Sequence, residues 1–170
     1  YLGLSGDAEV SGKNGWYYPS YDINKSLDEF MDIHTPTSYD TRLARDGNKV
    51  LIATFLFDYD DDPEKDRERF KGDLMRKYLA RIDREVGDIS GHIIVKALAT
   101  PRTIERYTLN HRGAIGWSPI PGQTYMKSFP IRSPVEGLYH AGHWTLPGSG
   151  VVAAASSGFN VAEKVLRKIV

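Results

Sequence analysis

A glycine-rich loop between a short apolar segment and a helical pattern is the feature of this sequence most typical of ligand binding. Gly148, Gly150 and Ala153 follow the segment Leu138–Ala141, and their spacing matches the dinucleotide-binding pattern G-x-G-x-x-G/A. Glycines let the backbone approach a ligand closely, and the start of the following helix carries free N–H groups and partial positive charge. The pattern therefore predicts a ligand held by backbone N–H groups.

The complete dinucleotide fingerprint also needs a second strand that ends in Asp or Glu about 20 residues further on. The sequence continues instead as one helical pattern from Val151 to Val170, which argues against a true phosphate loop. Two interpretations stay open: a ligand contacts the helix N-terminus, or small residues only allow the helix to pack closely on a sheet. Those small residues are Ala153, Ala154, Ala155, Ser156, Ser157 and Gly158.

Three other groups of side chains are weaker candidates for chemistry. His140 and His143 form an H-x-x-H arrangement, but no nearby carboxylate completes a site, so we predict no metal. The acidic run Asp58–Asp62 lacks the residue order of a calcium loop and is expected to be a solvated segment before a helix. A third set could act as acid and base but is expected to pack in loops or core: Tyr107, His111 and Trp117.

The composition predicts a globular protein of one domain or slightly more. The 170 residues include 22 basic and 22 acidic side chains, 41% are hydrophobic, and there is no cysteine. Zero formal net charge provides no basic field for phosphate backbones, so nucleic acid is not an expected partner. The absence of cysteine excludes disulfides and zinc–thiolate sites and fits a reducing cytoplasm. The longest apolar run, Ile93–Ala99, is far shorter than the ~20 residues that span a bilayer.

The elements that must position the loop alternate between strand and helix patterns. The predicted strands are Tyr1–Leu4, Trp16–Tyr18, Lys49–Phe57, His92–Ala99 and Leu138–Ala141. A first predicted helix ends at Met31, and a second extends over Pro63–Val86 with Asp62 as N-cap and Gly87 as stop. A turn or a helix is predicted from Thr100-Pro101 through Leu109, and a terminal helix over Val151–Val170. Between 110 and 136 the sequence predicts a long irregular segment, and such loops are usually functional.

These elements predict an α+β fold with a mixed sheet. Lys49–Phe57 and His92–Ala99 are almost continuously apolar, which predicts strands that are covered rather than solvated. The helix Pro63–Val86 is expected to cover the sheet through one apolar stripe, which comprises Phe70, Leu74, Tyr78, Ile82 and Val86. Because Tyr1–Leu4 has the pattern of a strand already under way, we expect the chain to be a piece of a longer protein.

The C-terminal residues carry a resemblance to a known family. The run from Gly137 to Val151, followed by Ser157-Gly158 and Ala162, closely resembles the C-terminal signature of phytoene desaturase-like flavoproteins. That family includes carotenoid desaturases, carotenoid cis–trans isomerases and retinol saturases. Tyr1–Leu4 resembles a strand of the family's substrate domain. The family's preceding segment is similar to the stretch that contains Thr100, Pro101, Thr103, Tyr107, Asn110, Gly113 and Ala114.

The resemblance implies that the chain contributes to two domains. Residues 1–136 would form part of the substrate-binding middle domain, and residues 137–170 would return to complete the FAD-binding domain. The parent protein would be an FAD-dependent oxidoreductase that acts on a polyene or isoprenoid by hydride transfer or flavin-assisted isomerisation. The N-terminal FAD domain of the same polypeptide holds the ADP half of the cofactor, so the isolated chain is expected to be inactive and to hold no FAD.

The resemblance also implies which residues approach the cofactor and the substrate. The implied cofactor-binding residues are Gly142, His143, Thr145, Gly148, Gly150, Val151 and Val152. The residues expected to line the substrate are Leu146, Pro147 and Trp144. Many relatives have an acidic residue where this chain has His143, so the role of that side chain stays open. Backbone N–H groups near Gly150 would lie by the carbonyl edge of the flavin, and no catalytic acid or base is implied.

Two other functions stay open from the sequence. The chain could be a non-catalytic substrate-binding or oligomerisation module, or part of a flavin amine oxidase-like enzyme. The expected partners are a hydrophobic small molecule and the N-terminal FAD domain, and peripheral attachment to a membrane stays open. Small apolar residues over Val151–Ser157 are expected to be uncovered, which predicts a homodimer, a swapped helix or local disorder.

Overall fold

The computed structural model describes residues 1–10, 14–17, 30–63, 65–114, 129–148 and 150–169. These residues belong to two compact units, Tyr1–Thr100 and Pro101–Val170. The predicted helix before residue 30 and the loop residue Trp117 lie outside the described residues. The domain boundary expected between residues 136 and 137 stays a prediction.

The first unit is built on an antiparallel sheet. Its described strands are β1 (Leu2–Leu4), β2 (Gly15–Tyr17), β3 (Met31–His34), β4 (Lys49–Phe55) and β5 (Ile93–Lys96), in the spatial order β2-β3-β4-β1-β5. The α+β class is confirmed, but the mixed sheet is wrong because each described pairing is antiparallel. A strand–helix–strand pattern favours parallel neighbours. Here β1 lies between β4 and β5 and pairs antiparallel with both.

One helix covers the core face of this sheet, as the apolar stripe predicts. Helix α1 (Arg67–Val86) buries Leu74, Ile82 and Val86, and the last two join the core formed by the strands. Tyr78 stacks on Phe55 of β4, with ring centroids 3.8 Å apart and planes 5° apart. Burial raises the pKa of Tyr78 to about 12, because an apolar environment disfavours the phenolate.

The helix begins later than predicted. The predicted start at Asp62-Pro63 is wrong, because α1 begins at Arg67 after Asp66, whose φ is 52°. The acidic run forms its own 3₁₀ turn over Tyr59–Asp61, in which the Asp58 carboxylate accepts the Asp60 N–H at 3.0 Å. Such local side-chain bonds compete with helix formation. The predicted end is confirmed, since Gly87 adopts a φ of 115° and donates its N–H to Asp83 O.

Two further predictions in this unit are wrong. Met31 ends no helix but begins β3, where Met31 and Ile33 alternate toward the core as in a strand. The strand predicted over His92–Ala99 is limited to β5, in which Ile94 and Val95 are 61% and 63% exposed. Consecutive residues of a strand point to opposite faces, so the apolar character of β5, an edge strand of the sheet, does not reflect burial on both faces.

The second unit contains two α-helices among its described residues. They are α2 (Pro101–Thr108) and α3 (Val151–Ile169), and both match the predicted segments. The strand predicted at Leu138–Ala141 is wrong, because only an isolated bridge joins Tyr139 to Arg132. A second isolated bridge joins Phe129 to Thr145. None of the described helices is long and apolar enough to cross a membrane.

Candidate functional site

The glycine-rich loop of the second unit has a backbone that requires glycine at defined positions. Gly142, Gly148 and Gly150 have φ values of 115°, 126° and 100°, which side chains rarely allow. Ala154 donates its N–H to Gly150 O at 2.9 Å, so the hydrogen-bonded ladder of α3 begins at Gly150. A Cβ atom placed on Gly142 or Gly150 would meet nothing within 4 Å, and open space therefore lies beside both residues.

Hydroxyl groups connect the beginning of this loop to α3. The Gly142 N–H donates to Ser157 Oγ at 2.7 Å, and Ser157 Oγ donates to Ala154 O at 2.6 Å. Thr145 Oγ1 donates to Gly142 O at 3.0 Å, and the Thr145 N–H reaches the same oxygen at 3.2 Å. Ser157 and Thr145 are 0% and 3% exposed. The turn from Gly142 to Thr145 is thus bonded to the helix through groups shielded from water.

The same turn carries an imidazole with an unsatisfied nitrogen. His143 Nε2 is buried and has no hydrogen-bond partner within the part of the chain that the structure describes. Its ring lies 6.1 Å from the ring of Trp144, which is 45% exposed. A buried polar atom without a partner is costly in a folded protein. This nitrogen therefore has an unused hydrogen-bonding position.

The start of α3 is open to its surroundings. Val151 and Val152 are 88% and 81% exposed. The N–H groups of the first helical turn have no partner within a helix, and the aligned peptide dipoles add partial positive charge there. Leu146 and Pro147, which precede this turn in the loop, are half-buried. The loop and the helix start together can hold an electron-rich group by backbone donors.

The predicted cofactor and substrate residues thus lie on one loop and one helical turn. Their roles in binding stay predictions. The sequence interpretation did not include Ser157 as a site residue. The signal available was a small polar residue placed two helical turns after the last loop glycine. Its burial and its bond to Gly142 could not be read from spacing alone.

The weaker candidates do not assemble into a site. Among the described residues, no group of three or more His, Cys, Asp or Glu side chains could hold a metal ion. His140 uses Nδ1 in a hydrogen bond to Pro130 O at 3.1 Å. Tyr107 is 79% exposed and His111 is exposed, so of the two expected kinds of packing, in loops or in a core, the core is excluded for these two residues.

A Ser–Asp–His cluster in the first unit has the composition of a hydrolase triad but not its geometry. Ser5 Oγ lies 3.1 Å from His92 Nδ1, and Asp7 Oδ1 lies 3.2 Å from the same nitrogen. In a triad the serine and the aspartate bind opposite nitrogens of the imidazole. The hydrogen bond from Ser5 is the main reason why the pKa of Asp7 is lowered. The cluster connects β1 to the segment before β5 and does not form a proton relay.

A groove on the second unit lies away from the glycine-rich loop. It measures about 530 Å³ and is lined by Ile131, Arg132, Asn160, Glu163, Lys164 and Arg167. Its helical residues begin ten positions after Gly150, which corresponds to about 15 Å along a helix axis. The groove is therefore separate from the candidate site.

Comparisons with known proteins identify relatives for most of the chain. No family model matches it. A chloroplastic prolycopene isomerase of Arabidopsis thaliana is 30% identical over 155 residues, which cover 85% of this chain and 26% of the relative. The corresponding enzyme of Daucus carota is 29% identical over 135 residues, or 76% of this chain and 22% of the relative.

A carotenoid 3,4-desaturase of Haloarcula japonica is 28% identical over 187 aligned positions, which cover 99% of this chain and 36% of the relative. The chain thus spans about a quarter to a third of the length of these curated relatives. By this distant homology the chain belongs to the carotenoid isomerase and phytoene desaturase family, of whose members it corresponds to a part.

Proposed function

We propose that the chain is a portion of an FAD-dependent oxidoreductase that acts on a carotenoid or a related polyene. The observation that carries the proposal is the glycine-rich loop, bonded through Ser157 to the N-terminal turns of α3, in a chain homologous to carotenoid isomerases and a desaturase. The loop and the helix start would complete the flavin site of the full polypeptide. Residues 1–136 would supply part of the substrate-binding domain.

The residues of the loop fit a flavin nucleotide. Open space beside Gly142 and Gly150 leaves room for a planar or extended ligand close to the backbone. The buried, unpartnered His143 Nε2 could bond a hydroxyl or phosphate oxygen of the ribityl chain. The exposed first turn of α3 offers N–H groups to the carbonyl edge of the ring. His143 would thus replace the acidic residue of many relatives in position but not in charge.

The loop and the first turn of α3 would then have distinct roles. The flavin supplies hydride transfer chemistry when bound. The first-turn N–H groups of α3 orient it and favour negative charge near the helix start. Leu146, Pro147 and Trp144 would contact the substrate and exclude water. We assign no side chain of this segment as a catalytic acid or base.

The exposed surface of α3 supports a partner within the same polypeptide. An apolar stripe at alternating spacings of three and four residues is exposed along the helix: Val152, Ala155, Phe159, Ala162 and Leu166. A stripe of this spacing is typical of a helix face that packs against another element. The alanines would allow close approach. We propose that the N-terminal FAD domain covers this stripe, and that in its absence two copies of the chain pair through it.

The activities of the relatives favour a polyene over an amine substrate. They are those of a prolycopene isomerase and a carotenoid 3,4-desaturase, and the two reactions differ in whether the polyene is oxidised. A non-catalytic binding module is the second candidate, because the chain corresponds to only part of each relative. The two candidates differ in whether the full polypeptide holds FAD and converts substrate.

The test is flavin binding and turnover by the full polypeptide that contains this chain. We expect bound FAD and conversion of either prolycopene or a carotenoid with a saturated 3,4 bond. Gly150→Val should weaken FAD binding at least tenfold, which corresponds to about 1.4 kcal/mol. Gly137→Val is the matched control, because Gly137 also has a positive φ with open space beside it but lies before the loop. Absence of FAD from the unmodified polypeptide would contradict the proposal.

A further inference from the structure

We propose that Ser157 is a positioning residue for the cofactor: it sets the distance between the His143 turn and the first turn of α3 without touching the flavin. The inference rests on the proposed function and adds a residue to it. Ser157 lies on the second turn of α3 and is 0% exposed. A buried serine in a helix loses hydration, so its hydroxyl must have partners inside the protein.

The hydroxyl of Ser157 bonds one partner in the loop and one partner in α3. It donates its only proton to Ala154 O at 2.6 Å, and its lone pair accepts the Gly142 N–H at 2.7 Å. The hydroxyl oxygen also lies 3.4 Å from Gly142 O, so both polar groups of the Gly142 backbone are within hydrogen-bond distance of Ser157. An alanine at this position would leave the Gly142 N–H without its partner.

The bonds continue from Ser157 to the start of the helix. Ala154, which accepts from Ser157, is also the residue whose N–H bonds Gly150 O at 2.9 Å. Gly142 and Gly150, at the two ends of the loop, are therefore connected through Ser157 and Ala154. Both glycines have positive φ and no side chain of their own to hold them in place. Their separation depends on this chain of hydrogen bonds.

The distance between Gly142 and Gly150 determines the relative position of the His143 ring and the N–H groups at the start of α3. His143 follows Gly142 directly, and the N–H groups of Val151 and Val152 follow Gly150 directly. If both contact one flavin, an error of about 1 Å in their spacing weakens the hydrogen bonds and the orientation of the ring. Thr145 supports the same turn from the other side by donating to Gly142 O at 3.0 Å. Ser157 and Thr145 thus hold both polar groups of the Gly142 backbone.

The experiment compares three variants in the full polypeptide with FAD. Ser157→Ala should raise the FAD dissociation constant about tenfold, because one hydrogen bond in a water-free site is lost. It should also change the visible circular dichroism of the bound flavin, which reports the asymmetry of its surroundings. Ser156→Ala is the matched control and should change the dissociation constant less than about twofold, since Ser156 has no described bond to the loop. Ser157→Thr keeps the hydroxyl and should restore both readouts.

The outcomes separate this inference from the proposed function. If the unmodified polypeptide holds no FAD, the proposed function fails and this inference fails with it. If the unmodified polypeptide holds FAD and folded Ser157→Ala matches Ser156→Ala in affinity and dichroism, only the Ser157 inference is overturned. If Ser157→Ala does not fold, Ser157→Cys decides, because a thiol nearly keeps the side-chain volume but is a weak hydrogen-bond acceptor: weaker FAD binding and shifted dichroism in the folded protein support the inference, and unchanged values overturn it.

Discussion

Different kinds of interaction stabilise the interior of each of the two units. In the first unit the described core consists of apolar side chains from β1, β3, β4, α1 and the segments around them, among them Leu4, Ile33, Leu51 and Ile82. In the second unit no apolar side chain among the described residues is buried, and the buried side chains are those of Asn110, Thr145 and Ser157. Several large apolar side chains of this unit are exposed, including Phe159 at 67% and Val151 at 88%.

This difference indicates which unit depends on further protein. Burial of apolar surface stabilises a folded protein by about 25 cal/mol per Å² and is the main favourable contribution to folding. The first unit has a buried apolar core of its own. The second unit uses hydrogen bonds to fix one loop and leaves its apolar helix face uncovered. Large exposed apolar surfaces mark interaction sites. The comparison therefore supports the proposal that the FAD domain of the full polypeptide covers the exposed stripe of α3.

The largest expected effect is on the core of the first unit. Leu51→Ala removes a fully buried side chain of β4 and should lower the free energy of unfolding by about 2–5 kcal/mol. Leu56→Ala is the control, because Leu56 follows the same strand and is 48% exposed. Its cost should be below about 1 kcal/mol. Denaturant unfolding followed by circular dichroism measures both values, and equal losses would show that β4 does not lie in the core.

An intermediate effect is expected from the buried phenol on α1. Because the pKa of Tyr78 is raised to about 12, the folded state holds its proton above pH 10, where the unfolded chain releases it. Stability from this residue is therefore complete below pH 10 and is lost as the pH rises toward 12. At 1.36 kcal/mol per unit, and allowing for partial solvation, the loss should be about 1–2 kcal/mol.

Two variants isolate the contribution of this phenol. Tyr78→Phe should remove the loss of stability between pH 10 and 12, as measured by urea unfolding at each pH. Tyr39→Phe is the control, because Tyr39 is 80% exposed, and its pH dependence should equal that of the unmodified protein. An unchanged pH dependence in Tyr78→Phe would indicate that the phenol is solvated.

The smallest effect on stability is expected on the open face of α3. Phe159→Glu should change the free energy of unfolding of the monomer by less than about 0.5 kcal/mol, because the side chain is largely exposed in the single chain. It should nevertheless convert a dimer of the isolated chain into a monomer in analytical ultracentrifugation, because a charge in an apolar helix pair is costly. Glu163→Gln is the control on the same helix and should leave the dimer intact. A dimer that persists in Phe159→Glu would exclude this stripe as the interface.

The sequence predicts a regular element well where its hydrophobic pattern repeats over many residues. The stripe at i+4 spacing identifies α1, the small-then-amphipathic pattern identifies α3, and Gly87 identifies the end of α1. The pairing of the strands is not predictable in the same way. It depends on β1, three residues that are distant in sequence from both partners. The start of α1 at Arg67 instead of Pro63 is also not predictable from the N-cap pattern, because the acidic run forms a separate 3₁₀ turn over Tyr59–Asp61.

The candidate site shows the same limit. The glycine positions and the helix that follows can be located from spacing, because positive φ angles and helix starts leave a local signature. The residues predicted from the family resemblance are neighbours in sequence, from Gly142 to Val152, and for that reason lie on the loop and the first turn of α3. Ser157 and the unpartnered His143 nitrogen depend on side-chain packing across fifteen residues, which no local pattern encodes.

Hydrogen exchange of the backbone amides tests the central claim most directly. The measurement compares the isolated chain with the full polypeptide saturated with FAD. We predict that β4 is strongly protected in both, whereas the amides of Gly142 and of Val151–Ser157 gain protection only in the full polypeptide with FAD. Protection of Val151–Ser157 equal to that of Lys49–Phe55 in an isolated, monomeric chain would contradict the account. It would show that the second unit needs neither the FAD domain nor the cofactor.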